Sequence, residues 1–90
     1  MAKIDHFLDE KGRIKQLPSK SNLRLEVFGY LSGKFEAERK YTEKEVNQIV
    51  TDWSTIGDYF LLRRGLIEYG TMSRTPDGSQ YWLNQIEEEK

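Results

Sequence analysis

The sequence predicts an α+β domain in which three helices precede a C-terminal β-hairpin. Apolar residues recur at helical spacing in three segments, and a capping box opens one of them at Thr42. A Pro-Asp-Gly turn separates two short stretches near the C-terminus. Ninety residues can bury one core without disulfides or metal. Since three helices and a hairpin form the winged-helix arrangement, we predict one winged-helix-like domain over residues 1–90.

Residues 1–20 are predicted to form an N-terminal arm with two alternative structures. In the first, Phe7-Leu8 and Arg13–Lys15 flank a turn and make a hairpin. In the second, Ile4–Glu10 forms a short helix that Gly12 stops. Pro18 ends either structure because its nitrogen carries no hydrogen to donate. The arm is therefore expected to be irregular or hairpin-like.

The first helix is predicted to run from a cap at Ser21 or Asn22 to about Ser32. Its apolar side has the spacing of an amphipathic helix, with Phe28 at the margin, and contains Leu23, Val27, Tyr30 and Leu31. Gly33 is expected just after the helix, in the left-handed conformation that glycine tolerates.

The second helix carries the clearest local signal in the chain. Thr42 is its predicted N-cap, and Glu45, three residues later, completes a capping box. Tyr41 and Val46 occupy the two positions of a hydrophobic staple. Val46, Ile49, Val50 and Trp53 then follow at i, i+3, i+4 and i+7, which is the spacing of one helix face.

The third helix is predicted to start at Thr55 or Ile56, with Ser54 or Thr55 as its cap, and to end at Tyr69 before Gly70. One face would hold Tyr59, Leu62, Leu66 and Tyr69, widened by Phe60 and Ile67. Arg63 falls inside this apolar arc, whereas Arg64 lies outside it and one turn before Glu68.

A hairpin is predicted after Gly70, from Thr71–Arg74 to Ser79–Leu83. Pro76 and Gly78 suit the second and fourth positions of a type I turn. Tyr81 and Leu83 alternate with Gln80 and Trp82, so one face of the hairpin should pack on the helices. Residues 84–90 are predicted to form a frayed, acidic tail.

Charge is unevenly distributed along the chain, whose formal net charge is only -1. Residues 1–40 contain nine Lys and Arg against six Asp and Glu, whereas residues 41–90 contain five against nine. Phosphate contacts dominate DNA affinity, and a winged helix presents its third helix and wing to DNA. The predicted DNA-contacting residues are Lys11, Arg13, Lys15, Lys20, Arg24, Arg64 and Arg74. The alternative is that Arg64 pairs with Glu68, and that the basic stretch from Lys11 to Leu25 is only a solvated surface.

Arg63 has a separate expectation because its guanidinium lies in an apolar stripe. Such a charge must be paired or lifted towards water. We predict a structural ion pair, with Glu45, Asp52 or Asp58 as the possible carboxylate.

The aromatic content of 12% suggests that some rings are left outside the core. Phe60, on the flank of the third helix, and Trp82, opposite Tyr81 on the last strand, are the candidate interface residues. They would be buried in a homodimer or against a regulator protein. This interaction or sensing role, with no DNA contact, is the alternative to DNA binding.

Enzymatic and metal-dependent functions are not expected. The chain has one histidine, His6, and no cysteine, so neither a nucleophile–histidine pair nor a zinc site is well supported. The glycines form neither a dinucleotide fingerprint nor a phosphate-binding loop. No cofactor is predicted. The N-terminus has no signal-like apolar region, and no segment resembles a membrane span, so a cytoplasmic location is expected.

Four blocks of the chain carry a family resemblance, namely FLDEKGRIKQLPSK, YTEKEVNQI, LLRRGLIEYG and SRTPDGSQYW. In this order they resemble a bacterial family catalogued as a domain of unknown function. That family occurs alone or behind an arsenic-repressor-type winged-helix module in transcriptional regulators. The resemblance implies a bacterial, cytoplasmic protein associated with transcription control, and it transfers no catalytic residue. Asp52–Asp58 departs from the family's histidine- and aspartate-containing turn, so no metal or proton role is implied there.

Overall fold

The computed structural model describes residues 4–84. Three helices are followed by a two-stranded antiparallel hairpin, which confirms the α+β, winged-helix-like arrangement. The helices are α1 (Ser21–Ser32), α2 (Glu43–Asp52) and α3 (Tyr59–Glu68). The strands are β1 (Met72–Arg74) and β2 (Tyr81–Leu83), in the register Met72↔Leu83, Ser73↔Trp82 and Arg74↔Tyr81.

The hairpin is tied to the helices by a short bridge before α2. The Tyr41 amide donates to the Tyr81 carbonyl and the Tyr81 amide to the Tyr41 carbonyl, both at 2.8 Å. Tyr41 thus extends the sheet on the outer side of β2. Both tyrosines are buried, which fixes the hairpin against the core.

The core lies between the three helices and the inner face of the hairpin. Its fully buried side chains are Ile14, Val27, Phe28, Leu31, Val46, Val50, Leu62, Leu66 and Met72. Gly65 on α3 faces the ring of Phe28 on α1, which occupies the space that a side chain at position 65 would need. That ring also stacks on Tyr69, with the centroids 5.3 Å apart.

The predicted start of α2 is confirmed. The Glu45 amide donates to Thr42 Oγ1 at 3.1 Å, and the Thr42 amide donates to Glu45 Oε1 at 2.9 Å. Both donors would otherwise lack intrahelical partners. The staple residues Tyr41 and Val46 are both buried.

The ends of α1 differ from the sequence prediction. The helix already includes Ser21, which was predicted as a possible cap, and its N-cap is Lys20, which makes no side-chain capping bond. Gly33 has a φ of -67° and remains in the right-handed region, where its amide donates to the Gly29 carbonyl at 3.2 Å. The prediction of a left-handed Gly33 was therefore wrong, because the chain continues with further turns after the helix.

The predicted start of α3 was wrong by about one turn. Gly57 has a φ of +86°, which interrupts any helix running through residues 55–57. Asp58 is the N-cap instead, and its carboxylate accepts from the Leu61 amide at 3.1 Å. Tyr59 consequently lies in the first turn and is exposed, whereas Leu62 and Leu66 are buried as predicted. The end before Gly70, whose φ is +80°, agrees with the prediction.

The N-terminal arm combines both predicted alternatives. A 3₁₀ helix spans Asp5–Phe7, and an antiparallel bridge then joins Leu8 to Ile14 across a tight turn. Ile14 is fully buried and pairs with the segment between α2 and α3, donating to the Trp53 carbonyl at 2.8 Å and accepting from the Thr55 amide at 2.9 Å. The arm is thus part of the folded domain.

The C-terminal tail lies outside the described residues except for its first position. The Asn84 amide donates to the Thr71 carbonyl at 3.0 Å, and its side chain donates to the Gly70 carbonyl at 2.7 Å. These bonds hold the end of β2 beside the turn that follows α3.

Candidate nucleic-acid interface

A groove lies between α3 and the wing, and it is here called the α3–wing groove. Its volume is about 500 Å³, and it opens where α3, the start of α2 and the hairpin meet. Three arginines and three carboxylates line it, together with apolar residues of α3. The charged residues are Arg63, Arg64, Arg74, Glu43, Glu68 and Asp77.

Arg63 lies at the inner wall of the α3–wing groove, with only 14% of its side chain exposed. Its guanidinium is 3.4 Å from the Glu43 carboxylate, donates to the Asn47 side-chain oxygen and lies 4.9 Å from the Phe60 ring centroid. Arg63 is thus held by partners on α2 and by a ring of its own helix.

The three carboxylates considered for Arg63 from the sequence have other partners. Glu45 closes the α2 cap and lies 3.7 Å from Arg39, Asp52 accepts from Gln48, and Asp58 caps α3. The prediction of their pairing with Arg63 was therefore wrong. Glu43 and Asn47 are four residues apart on α2, so both face α3, and this spacing could have identified them.

Arg64 is on the outer face of α3, with 74% of its side chain exposed. Its Nε lies 3.7 Å from the Glu68 carboxylate, one turn later on the same helix. An exposed pair of this kind contributes little to stability, so the guanidinium can exchange this partner for another anion at low cost.

Arg74 extends the cationic surface from α3 to the wing. Its Nη1 donates to the carbonyls of Thr75 and Pro76 at 3.2 and 3.4 Å, which holds the side chain along the turn. The Asp77 carboxylate in this turn accepts from the Thr75 hydroxyl at 2.7 Å and from the Ser79 amide at 3.0 Å. These hydrogen bonds, led by that of Thr75, lower the pKa of Asp77 below its ordinary value.

A second cavity, here called the arm–α3 cavity, lies where the N-terminal arm passes the first turn of α3. Its volume is about 450 Å³, and its lining is Lys15, Gln16, Leu17, Arg24, Thr55, Ile56 and Leu61. Arg24 Nε donates to the Pro18 carbonyl at 2.7 Å. The structure therefore brings Lys15 and Arg24 beside the start of α3.

The other predicted arm cations lie elsewhere. Lys11 and Arg13 belong to the tight turn of the arm, where Arg13 Nε is 3.0 Å from the Asp9 carboxylate. Hydrogen bonds from the Arg13 and Lys11 amides and side-chain contacts with Arg13 lower the pKa of Asp9. Lys20 precedes α1 and is exposed. None of these three residues lines the α3–wing groove or the arm–α3 cavity.

The two candidate interface aromatics have different surroundings. Phe60 is 61% exposed, stacks on Tyr59 with centroids 4.9 Å apart and borders the α3–wing groove. Trp82 is half-buried on the strand position next to Tyr81, and the Lys40 ammonium lies 5.5 Å from its ring centroid. The sequence prediction missed three more exposed apolar residues, Leu25, Tyr59 and Leu61.

A lysine held between two rings was also missed. The Lys34 ammonium lies 4.5 Å from the Tyr30 ring centroid and 4.0 Å from that of Trp53. The Tyr30 hydroxyl donates to the Gly12 carbonyl at 2.6 Å, which joins this group to the arm. Residues 12, 30, 34 and 53 are too far apart in the sequence for a local pattern to connect them.

Residues 4–84 contain no group of three or more His, Cys, Asp or Glu side chains placed to hold a metal ion. Within the same range, no helix combines the length and apolar character needed to cross a bilayer.

Comparison with known proteins identifies a family. The family described as an uncharacterized protein conserved in bacteria, DUF2087, matches residues 13–83. Searches of curated proteins and of solved structures gave no match. The matched segment runs from the arm turn to the last residue of β2, and so includes all three helices and the wing. The chain therefore belongs to the DUF2087 family of bacteria.

Proposed function

We propose that this chain is a non-enzymatic, cytoplasmic module associated with bacterial transcription, which binds double-stranded DNA weakly through α3, the wing and part of the arm. The transcription assignment is supported by the winged-helix-like arrangement and by the resemblance to domains that follow arsenic-repressor-type regulator modules. The proposal includes no metal or cofactor.

The observation that carries the proposal is the position of four cations around α3. Lys15 and Arg24 line a cavity with Leu61 at the first turn, and Arg64 is exposed on the outer face. Arg74 lies across the α3–wing groove. The arm, α1 and the wing thus add positive charge beside α3, the helix that a winged helix inserts into the major groove.

The same surface favours weak binding with little sequence preference. Glu43, Glu68 and Asp77 line the α3–wing groove and oppose a phosphate. Between Tyr59 and Glu68, α3 contains no Asn, Gln, Ser or Thr that could read a base edge. Affinity would come mainly from phosphate contacts, which are salt-dependent and independent of sequence.

Titration of the full chain against random-sequence duplex at several salt concentrations tests the proposal. Four phosphate contacts predict that log affinity falls with log salt with a slope of roughly -3 to -4. Absence of binding at low salt would contradict the proposal.

Charge-removing variants test whether the four cations form the binding surface. Replacing Arg64 and Arg74 together by Ala should weaken duplex binding and reduce the slope by about two phosphate contacts. The melting temperature should change little, because both side chains are exposed. Lys44→Ala is the matched control, because Lys44 is exposed on α2 and does not line the groove. An equal loss of affinity per charge removed in the control would show that only net charge matters.

Protein docking is the second candidate function, and the exposed apolar residues of α3 favour it. Tyr59, Phe60 and Leu61 are successive residues of the first turn, and each is at least 38% exposed. Such a patch is typical of an interaction surface. If it mediates a homodimer, sedimentation at micromolar concentration should show a dimer that Phe60→Ser dissociates. A monomer would exclude the homodimer.

A further inference from the structure

We propose that the arm–α3 cavity binds a small amphipathic carboxylate, meaning an organic acid with an apolar body. The cavity is shallow and widely open to solvent, with about 450 Å³ of space over its lining, so a ligand would lie across its surface. The cavity lies on the surface assigned above to DNA, but its ligand chemistry follows from its own lining.

The lining has an apolar part and a cationic part. Leu17, Ile56 and Leu61 provide the apolar part, and Lys15 and Arg24 provide two positive charges. No Asp or Glu is among the lining residues. The α3–wing groove differs in this respect, because its three arginines face three carboxylates. An anion is therefore favoured in the arm–α3 cavity, where no carboxylate of residues 4–84 lines the surface beside the two cations.

Arg24 is positioned before any ligand arrives. Its Nε–H donates a hydrogen bond to the carbonyl of the buried Pro18 at 2.7 Å. This bond fixes the guanidinium without neutralising its charge. The terminal nitrogens keep the planar fork that binds a carboxylate with two parallel hydrogen bonds. Since less side-chain freedom is lost on binding, a fixed guanidinium binds more tightly than a mobile one.

The apolar residues select the rest of the ligand. Leu61 is 39% exposed although it lies next to two aliphatic residues of other segments. An alkyl or aryl body lying across Leu17, Ile56 and Leu61 would cover this surface and gain hydrophobic free energy. A small hydrophilic anion such as acetate lacks this contribution.

A ligand bound in the arm–α3 cavity would compete with DNA for the same cations. This part of the inference rests on the proposed function. Lys15 and Arg24 cannot hold a ligand carboxylate and a phosphate at the same time. A bound carboxylate would remove two of the four cations around α3. The ligand would then act as an effector that releases the module from DNA.

Octanoate, octanol and acetate, each titrated into the full chain without DNA, test the site. Octanoate, below its micellar concentration, should bind saturably and shift amide NMR signals of residues 15–17, 24, 55–56 and 61. Octanol lacks the charge and acetate the apolar body, so both should bind at least about tenfold more weakly. Equal affinity for octanol, or saturable shifts confined to another region, would overturn the proposal.

Two variants test the cations separately. Lys15→Gln and Arg24→Gln should each weaken octanoate binding by about tenfold. Lys15 is exposed, so its substitution leaves the fold intact even if Arg24→Gln disturbs the arm. Lys44→Gln, on α2, should bind octanoate like the unaltered chain. Unchanged affinity in Lys15→Gln and in a folded Arg24→Gln protein would overturn the assignment.

A competition experiment separates this site from the proposed function. If duplex binds, octanoate should displace it from the unaltered chain, and displacement from Lys15→Gln should need about tenfold more octanoate. If octanoate binds and duplex does not, the DNA proposal fails and the ligand site stands. If both bind without competition, the effector role is wrong.

Discussion

Arg63 is a charged residue on an apolar helix face, and its environment explains its position. Most of the side chain is covered, and the guanidinium reaches Glu43, Asn47 and the Phe60 ring at the edge of the α3–wing groove. Arg63 thereby joins α2 to α3. Among the described residues, no backbone hydrogen bond connects these two helices. Arg63 and Arg64 are adjacent, yet one is a structural link and the other is exposed.

Arg63→Ala should therefore destabilise the domain by about 1–3 kcal/mol, through lost packing of the stem and a lost hydrogen bond to Asn47. Glu43→Gln should cost less, about 0–1 kcal/mol, because Glu43 is half-exposed and its side chain keeps its packing. Urea unfolding of both variants measures the difference. An unchanged midpoint in Arg63→Ala would contradict the structural role.

The sequence located Arg63 on the apolar face but not its partners. Its position on α3 follows from helical spacing alone, whereas pairing depends on which face of α2 turns towards α3. That orientation results from the packing of Val46 and Val50, a tertiary property. Local spacing thus predicted that the charge of Arg63 lies on an apolar face, whereas its partners depend on how α2 packs against α3.

At the level of elements, boundaries were predictable where the signal was local. Thr42 and Glu45 cap α2 with their own side chains, so its start could be inferred from six residues. The start of α3 depends on the left-handed Gly57, and Ser54 is engaged with the Ile56 amide instead of capping a helix. Ser54, Thr55 and Asp58 all have side chains that can cap a helix. The backbone conformation at Gly57 determines that Asp58 is the cap.

The contact between α1 and α3 depends on the absence of a side chain at Gly65. A Cβ placed there would overlap the Phe28 ring, which is buried and stacked on Tyr69. Gly65→Ala should destabilise the domain by about 1–3 kcal/mol, because overpacking outweighs the gain in helix propensity.

Gly29→Ala is the matched control for Gly65→Ala. Gly29 is also a helical glycine, on α1, and an added Cβ would meet nothing within 4 Å. It should stabilise the domain by up to about 1 kcal/mol. Thermal or urea unfolding compares the two, and a Gly65→Ala protein as stable as the Gly29→Ala protein would show that the helices can separate without cost.

For the whole molecule, the small net charge conceals a structured distribution. The basic N-terminal half reaches α3 through Lys15 and Arg24, while the acidic half contributes the carboxylates of the α3–wing groove. The order of charges along the sequence revealed the asymmetry. It could not show that only part of the basic stretch would lie beside α3, because that depends on where Ile14 docks.

Acid should weaken the folded state through Asp9 and Asp77. The pKa of each carboxyl is lowered from its ordinary value in the folded protein because the carboxylates accept hydrogen bonds in two tight turns. A lowered folded pKa means stability that is present above pH 3.8 and is lost as the pH falls through the folded values. Melting temperature measured against pH should therefore fall below about pH 4, and less steeply in an Asp9→Asn, Asp77→Asn double variant. Identical slopes would assign the acid sensitivity to other carboxylates.

The buried position of Ile14 has a consequence for synthesis on the ribosome. Its backbone partners are residues 53 and 55, and the bridge at Tyr41 needs Tyr81. Neither contact can form until most of the chain has left the exit tunnel, since ribosomes add residues from the N-terminus onwards. The arm is therefore synthesised well before its partners and can dock only after residue 55 has emerged, and the hairpin can join Tyr41 only after residue 81 has emerged.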